Sequence, residues 1–110
     1  MKTRLLAALL LAAATVPALA ADPLELVRDK QCLACHSLDR DGLAPALRNI
    51  AIKYRRIKGA DQMLADTIAK GSPLDASGAH WGLMKMPGAG VRVPVSATEA
   101  HQLADWILGL

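Results

Sequence analysis

The chain has 110 residues, enough for one ordinary domain, and its 53% hydrophobic content is raised by an apolar N-terminal stretch. Lys2 and Arg4 supply two units of the formal charge of +3, leaving +1 for the rest. So small a charge, with only 3% aromatic residues, excludes a nucleic-acid surface built on phosphate contacts and base stacking.

Residues 1–20 read as a secretory leader. Lys2 and Arg4 form a positive start, Leu5 to Ala14 is wholly apolar but short for a membrane span, and Pro17 interrupts it. Ala18-Leu19-Ala20 is a small-residue cleavage site, so the mature domain is expected to be 21–110, beginning at Ala21. The alternative is an uncleaved N-terminal anchor. A lipoprotein would need a cysteine near the cleavage site, and none stands there.

The first helix signal follows at once. Asp22 can cap, Pro23 suits the first helical position, and Glu25 sits where the helix dipole favours an acid. Leu24, Val27 and Gln31 fall on one side of this helix. It runs straight into Cys32-Leu33-Ala34-Cys35-His36, a C-x-x-C-H motif. Two thiols at that spacing can each add to one porphyrin vinyl group, and the adjoining imidazole can reach the iron, so the pattern signals covalent haem attachment. A lone C-x-x-C also serves disulfide exchange and zinc binding. A thioredoxin-like site would need a βαβ pattern, which is not visible. A zinc site would have to recruit His36, His80 or His101, whose spacings match no familiar module.

Leu38 to Ala44 reads as a polar loop ending at Pro45. Leu47, Ile50, Ala51 and Tyr54 then repeat at helical spacing, and Arg55 to Gly59 is a basic connection. A third helix is expected from Ala60 to Lys70, with Leu64, Thr67 and Ile68 inward and Gly71 and Pro73 ending it. Gly71 to Gly90 has loop composition, long for so small a domain unless it wraps a cofactor. Ser96 and Glu99 form a capping box for a last helix whose stripe is Ala100, Leu103, Ala104 and Ile107, widened by Trp106. The fold class is therefore all-α, with about four helices. A core this small benefits from a bound cofactor.

A haem iron held by one histidine has a sixth position, and its occupant separates electron transfer from gas binding or catalysis. The candidates are Met63, Met84, Met86, His80, His101 and Lys85. Met63 lies in a helical pattern and suits the core. His101, near the start of the last helix, suits a solvated or capping role. Met84 and Met86 point the same way in an extended segment. Pro87 restricts Met86 to extended backbone, a rigid way to present a thioether.

The order of these features resembles a small class I cytochrome c, specifically the bacterial cytochrome c-551 (c8) group. The likeness takes in Asp22-Pro23, Cys32 to His36, Ala44-Pro45-Ala46, Lys53-Tyr54, Ile68 to Ser72, Trp81-Gly82, Met86-Pro87 and Ala104 to Leu108. The resemblance implies a fold of about four helices wrapped around one covalently bound haem c. It implies that Cys32 and Cys35 form thioethers, that His36 and Met86 bind iron, and that Met84 lines the haem pocket. It further implies that the Pro45 carbonyl accepts a hydrogen bond from the outer nitrogen of His36, and that Trp81 donates to a propionate. Trp106 would pack near haem where the first and last helices cross. Simple core packing is the alternative for both tryptophans.

The chain also departs from that pattern. Gln31 stands where a small residue, usually glycine, precedes the motif. Thr67 stands where an arginine often pairs with a propionate, so Lys70 or Arg56 takes that task or the contact goes unmade. The Ser72 to His80 loop is about five residues longer than in the family. Phenylalanine is absent, so the core is expected to be less aromatic than usual.

The function expected from this reading is a soluble periplasmic one-electron carrier, not an enzyme. It would work between redox partners such as a nitrite reductase or terminal oxidase, as a monomer, without nucleic acid or stable membrane insertion. The basic run Lys53, Arg55, Arg56 and Lys58 would contribute to docking or be simply a solvated face. The alternatives are a haem-based sensor or enzyme with a labile sixth ligand, and a cytochrome subunit of a larger oxidoreductase.

Overall fold

The computed structural model describes residues 14–17, 22–73 and 84–110. Most of the expected leader, Ala21, His80 and Trp81 lie outside the described residues. Among those described there are four α-helices and no strand, as the sequence pattern predicts: α1 (Pro23–Asp29), α2 (Leu47–Tyr54), α3 (Ala60–Lys70) and α4 (Ala97–Leu108), with a 3₁₀ turn at Cys32–Ala34. None of these helices is long and apolar enough to cross a membrane.

α1 starts as its sequence dictates. The Asp22 carboxylate accepts the Leu24 N–H at 3.0 Å, Pro23 opens the helix, and Glu25 and Arg28 match the two ends of the dipole. The buried pair on α1 is Leu26 and Val27, whereas Leu24 is only half-buried. The expected side of Leu24, Val27 and Gln31 is therefore rotated. The helix ends before Gln31, which takes φ 57° and ψ 30°, the left-handed region, and points to solvent. Glycine adopts this conformation without steric cost. A non-glycine residue there costs about 1–2 kcal/mol, less the extra chain entropy that glycine loses on folding. Gln31→Gly is expected to stabilise the protein by about 0.5–1 kcal/mol, read as a raised denaturant midpoint.

α4 is the hub, packing against α1, α2 and α3. Its capping box forms fully: Ser96 Oγ accepts the Glu99 N–H at 3.2 Å, and Glu99 Oε2 accepts the Ser96 N–H at 2.9 Å. Lys30, at the end of α1, reaches both Glu99 (3.0 Å) and the Pro94 carbonyl (3.0 Å), tying the two terminal helices together. The Ser96 N–H, and then Lys30, hold the Glu99 carboxyl below its ordinary pKa. The core that α4 completes comprises Leu26, Val27, Leu47, Leu64, Ala65, Ile68, Val95, Ala100, Leu103, Ala104 and Ile107. Every fully buried member is aliphatic, while Tyr54 and Trp106 pack against its rim.

α3 spans the residues expected and ends at Gly71. Leu64 and Ile68 are buried, but Thr67 turns its hydroxyl back onto the Met63 carbonyl of its own helix at 3.0 Å. Met63 is 49% exposed, so it belongs to the surface of α3 and not to the core.

Candidate haem site

The 3₁₀ turn shapes the Cys32 to His36 segment. The Cys32 carbonyl accepts the N–H groups of both Cys35 (3.3 Å) and His36 (3.0 Å), which winds the two cysteines and the histidine into one tight turn. In such a turn side chains three apart lie above one another. Both cysteines are free thiols, Cys32 half-buried and Cys35 exposed. Burial pushes the Cys32 thiol pKa up, partly offset by a backbone hydrogen bond and the nearby Arg92 charge. That is the reverse of a disulfide-exchange cysteine, which works through a lowered pKa.

His36 is fixed through its ring. Nδ1 lies 2.7 Å from the Pro45 carbonyl oxygen. A carbonyl can only accept, so Nδ1 carries the hydrogen and, in the neutral ring, Nε2 keeps its lone pair for a metal.

The loop that brings Pro45 back is built on the start of α2. Its N-cap residue, Ala46, has no capping side chain. Orphan donors of that first turn go to the loop: Leu47 N–H to the Ser37 carbonyl (2.9 Å) and Arg48 N–H to the Leu38 carbonyl (3.0 Å). Asp41 Oδ1 accepts the Ala46 N–H at 2.7 Å and the Asn49 side-chain amide at 3.1 Å. The sequence pattern gives no sign of Asp41, because the helix it serves begins across a loop and not at the adjoining residue. The Ala46 N–H first, and then Asn49, depress the Asp41 carboxyl pKa.

The sign of the pH dependence follows. A depressed folded-state pKa adds stability that is fully present above the ordinary aspartate range and lost as pH falls through the depressed value. Asp41→Asn is therefore expected to lower the thermal midpoint at neutral pH. The gap from wild type should close as both proteins are acidified below pH of about 4. A gap unchanged by acid would assign the loss to geometry alone.

Met86 is anchored from both main-chain sides. Ser72 Oγ accepts the Met86 N–H at 3.0 Å, and the Ser72 N–H donates to the Met86 carbonyl at 2.9 Å. Gly71, at φ 89°, lets this pairing close: a Cβ built on it would stand 2.8 Å from the Gly88 nitrogen and the Met86 oxygen. Met86 is half-buried with Pro87 following it, whereas Met84 is exposed. His101 lies half-buried in the groove between α3 and α4, beside Gln62, Ala65 and Asp66. Lys70 engages Asp66 at 3.3 Å on its own helix.

The donor set fits a covalently held haem. It consists of two free thiols on one turn, an imidazole with one nitrogen already occupied, and a thioether on backbone restrained from both sides. Residues 21–110 match the cytochrome c family. The chain belongs to that family. The cofactor of such a cytochrome is covalently bound haem c, with its iron. The chain is 40% identical to cytochrome c-551 of Stutzerimonas stutzeri, over 90% of this chain and 86% of that protein. It is 36% identical to cytochrome c-552 of Nitrosomonas europaea, over 100% of this chain and 99% of that protein. The crystal structure of wild-type Nitrosomonas europaea cytochrome c552 superposes with a TM-score of 0.67 at 40% identity, covering 79% of this chain and 98% of that one. The all-α class I cytochrome fold of this chain is thus seen directly in a homologous structure, and electron transfer through a c-type haem is the activity it shares with its relatives.

Proposed function

We propose that residues 21–110 form a periplasmic one-electron carrier in which Cys32 and Cys35 are the thioether residues and His36 and Met86 the axial iron ligands. The observation that carries this reading is the fixation of both candidate ligands: His36 through its ring to Pro45, and Met86 through its peptide groups to Ser72. Bound haem supplies the one-electron ferrous/ferric couple. The protein's part is to hold two side chains still, so that little needs to move when an electron arrives or leaves. A soft thioether favours the ferrous state, and the Pro45 carbonyl sets the orientation and basicity of the imidazole. Trp81 is assigned a place in the haem environment from its position in the Trp81-Gly82 pair.

Residues 1–20 act, on this reading, as a cleaved leader. The partners are redox proteins, a donor and an acceptor of the kind represented by a nitrite reductase or terminal oxidase.

The test is a visible spectrum of the haem-loaded protein from the periplasm, oxidised and reduced, with and without CO. Sharp low-spin ferrous bands, a weak long-wavelength ferric methionine–iron band and indifference to CO are expected. High-spin features or ready CO binding would remove Met86 as a ligand and leave a sensor or enzyme. The mass of the same sample should correspond to a chain starting at Ala21 plus one haem.

A further inference from the structure

Arg92 stands in the segment that leads from Met86-Pro87 to α4, and no motif of the sequence gives it a task. Its half-buried guanidinium donates to three main-chain carbonyls. Nε reaches Pro87 at 2.6 Å, Nη1 reaches Val93 at 3.4 Å, and Nη2 donates to Ile68. Pro87 directly follows Met86. Ile68 lies in the last turn of α3, where carbonyls lack an intrahelical partner and a cation is favoured by the helix dipole. One planar fork therefore joins the methionine segment to the end of α3. Ser72 ties the same segment on its other side. Lysine could supply the charge but not the fork, which needs several donors in one plane.

We propose that Arg92 is the positioning residue for Met86: its fork locks the Pro87 carbonyl to α3 and so keeps the thioether in place when the iron is ferric. The proposal rests on the reading of Met86 as the sixth ligand. Ferric iron is the harder acid and holds a thioether less firmly than ferrous iron does, so a loosened segment shows itself first in the oxidised protein. An added ligand binds only when the segment swings away, and its apparent affinity scales with the fraction of molecules in that open state.

The experiment titrates imidazole into the ferric haem-loaded protein, followed by visible absorption, for wild type, Arg92→Gln, Arg92→Lys, Met86→Ala and Glu99→Gln. Hydrogen bonds from a charged group are strong enough that Arg92→Gln should tighten imidazole binding by about ten- to a hundredfold. Arg92→Lys should fall between it and wild type. A redox titration should show a lower potential for Arg92→Gln and a smaller change for Arg92→Lys, which keeps the positive charge. Glu99→Gln weakens the α1–α4 tie, which includes neither the Ser72 nor the Arg92 hydrogen bonds, and should lower the thermal midpoint without changing imidazole affinity. The proposal is overturned if both Arg92 variants bind imidazole as wild type does, or if Glu99→Gln shifts the affinity equally, which would mark general loosening. Wild type binding imidazole as tightly as Met86→Ala would instead overturn Met86 as a ligand, a result distinct from either.

Discussion

Gly71→Ala is expected to cost about 3 kcal/mol or more of stability and to release Met86 from the position its anchors give it. Two separate penalties converge on this glycine. Its backbone, at φ 89° and ψ 175°, lies in a region that is essentially glycine's alone, where a side chain costs about 1–3 kcal/mol. The space is closed as well. The new Cβ would meet the Gly88 nitrogen and the Met86 oxygen at 2.8 Å and the Pro87 carbonyl carbon at 2.9 Å. All three are main-chain atoms, so no rotamer change relieves the clash. The segment itself must move, and the Ser72–Met86 hydrogen bonds go with it.

Two readouts check this. The denaturant midpoint should fall by the amount given, and the ferric methionine–iron band should weaken or vanish. Gly88→Ala provides the graded comparison. Its Cβ would meet only the Lys70 carbonyl oxygen, at 3.1 Å, and its loss should be clearly smaller. At Gly90 a Cβ finds no neighbour within 4 Å, so Gly90→Ala should change little. Equal effects at all three positions would show that the close approach at Gly71 does not govern the methionine segment.

The contrast between these glycines marks how far the sequence could be read. Local signals were legible because each carries its own hydrogen bond. Asp22 caps the helix that starts beside it, Ser96 and Glu99 satisfy each other, and Gly71 ends α3. The Cys-x-x-Cys-His cluster was legible because covalent chemistry fixes its spacing. The Pro45 carbonyl carries no signal of its own in the sequence and follows only from family resemblance; in the structure its oxygen lies 2.7 Å from His36 Nδ1. Contacts made across the chain left no such mark. Asp41 serves a helix from the far side of a turn, Ser72 pairs with Met86 across the long loop, and Arg92 bonds back to α3. Periodicity also misjudged faces where helices are short. In the two turns of α1, Leu26 is buried and Gln31 falls beyond the helix altogether. Met63 sits among apolar neighbours in sequence but on the outer side of α3, since α4 covers only one face.

Leu103→Ala is the second large effect, and it separates the stability of the fold from the fixation of the site. Leu103 is 1% exposed and belongs to the core that α4 shares with its neighbours. Val27, also 1% exposed, places α1 in the same cluster. Truncation there removes buried methyl groups and leaves a cavity in a core whose other members include the short side chains of Ala65, Ala100 and Ala104, which have little length with which to refill it. The expected cost is about 3 kcal/mol, a large share of the 5–15 kcal/mol typical of a whole domain. Ile52, 63% exposed on α2, is the matched control, and Ile52→Ala should change stability by about 0.5 kcal/mol or less. The denaturant midpoint of Leu103→Ala should fall with its slope unchanged. The imidazole affinity of the ferric protein should stay at the wild-type value, because neither the Ser72 nor the Arg92 anchor of the methionine segment involves Leu103. A tightened affinity in Leu103→Ala would mean that helix packing, and not those anchors, holds Met86 in place.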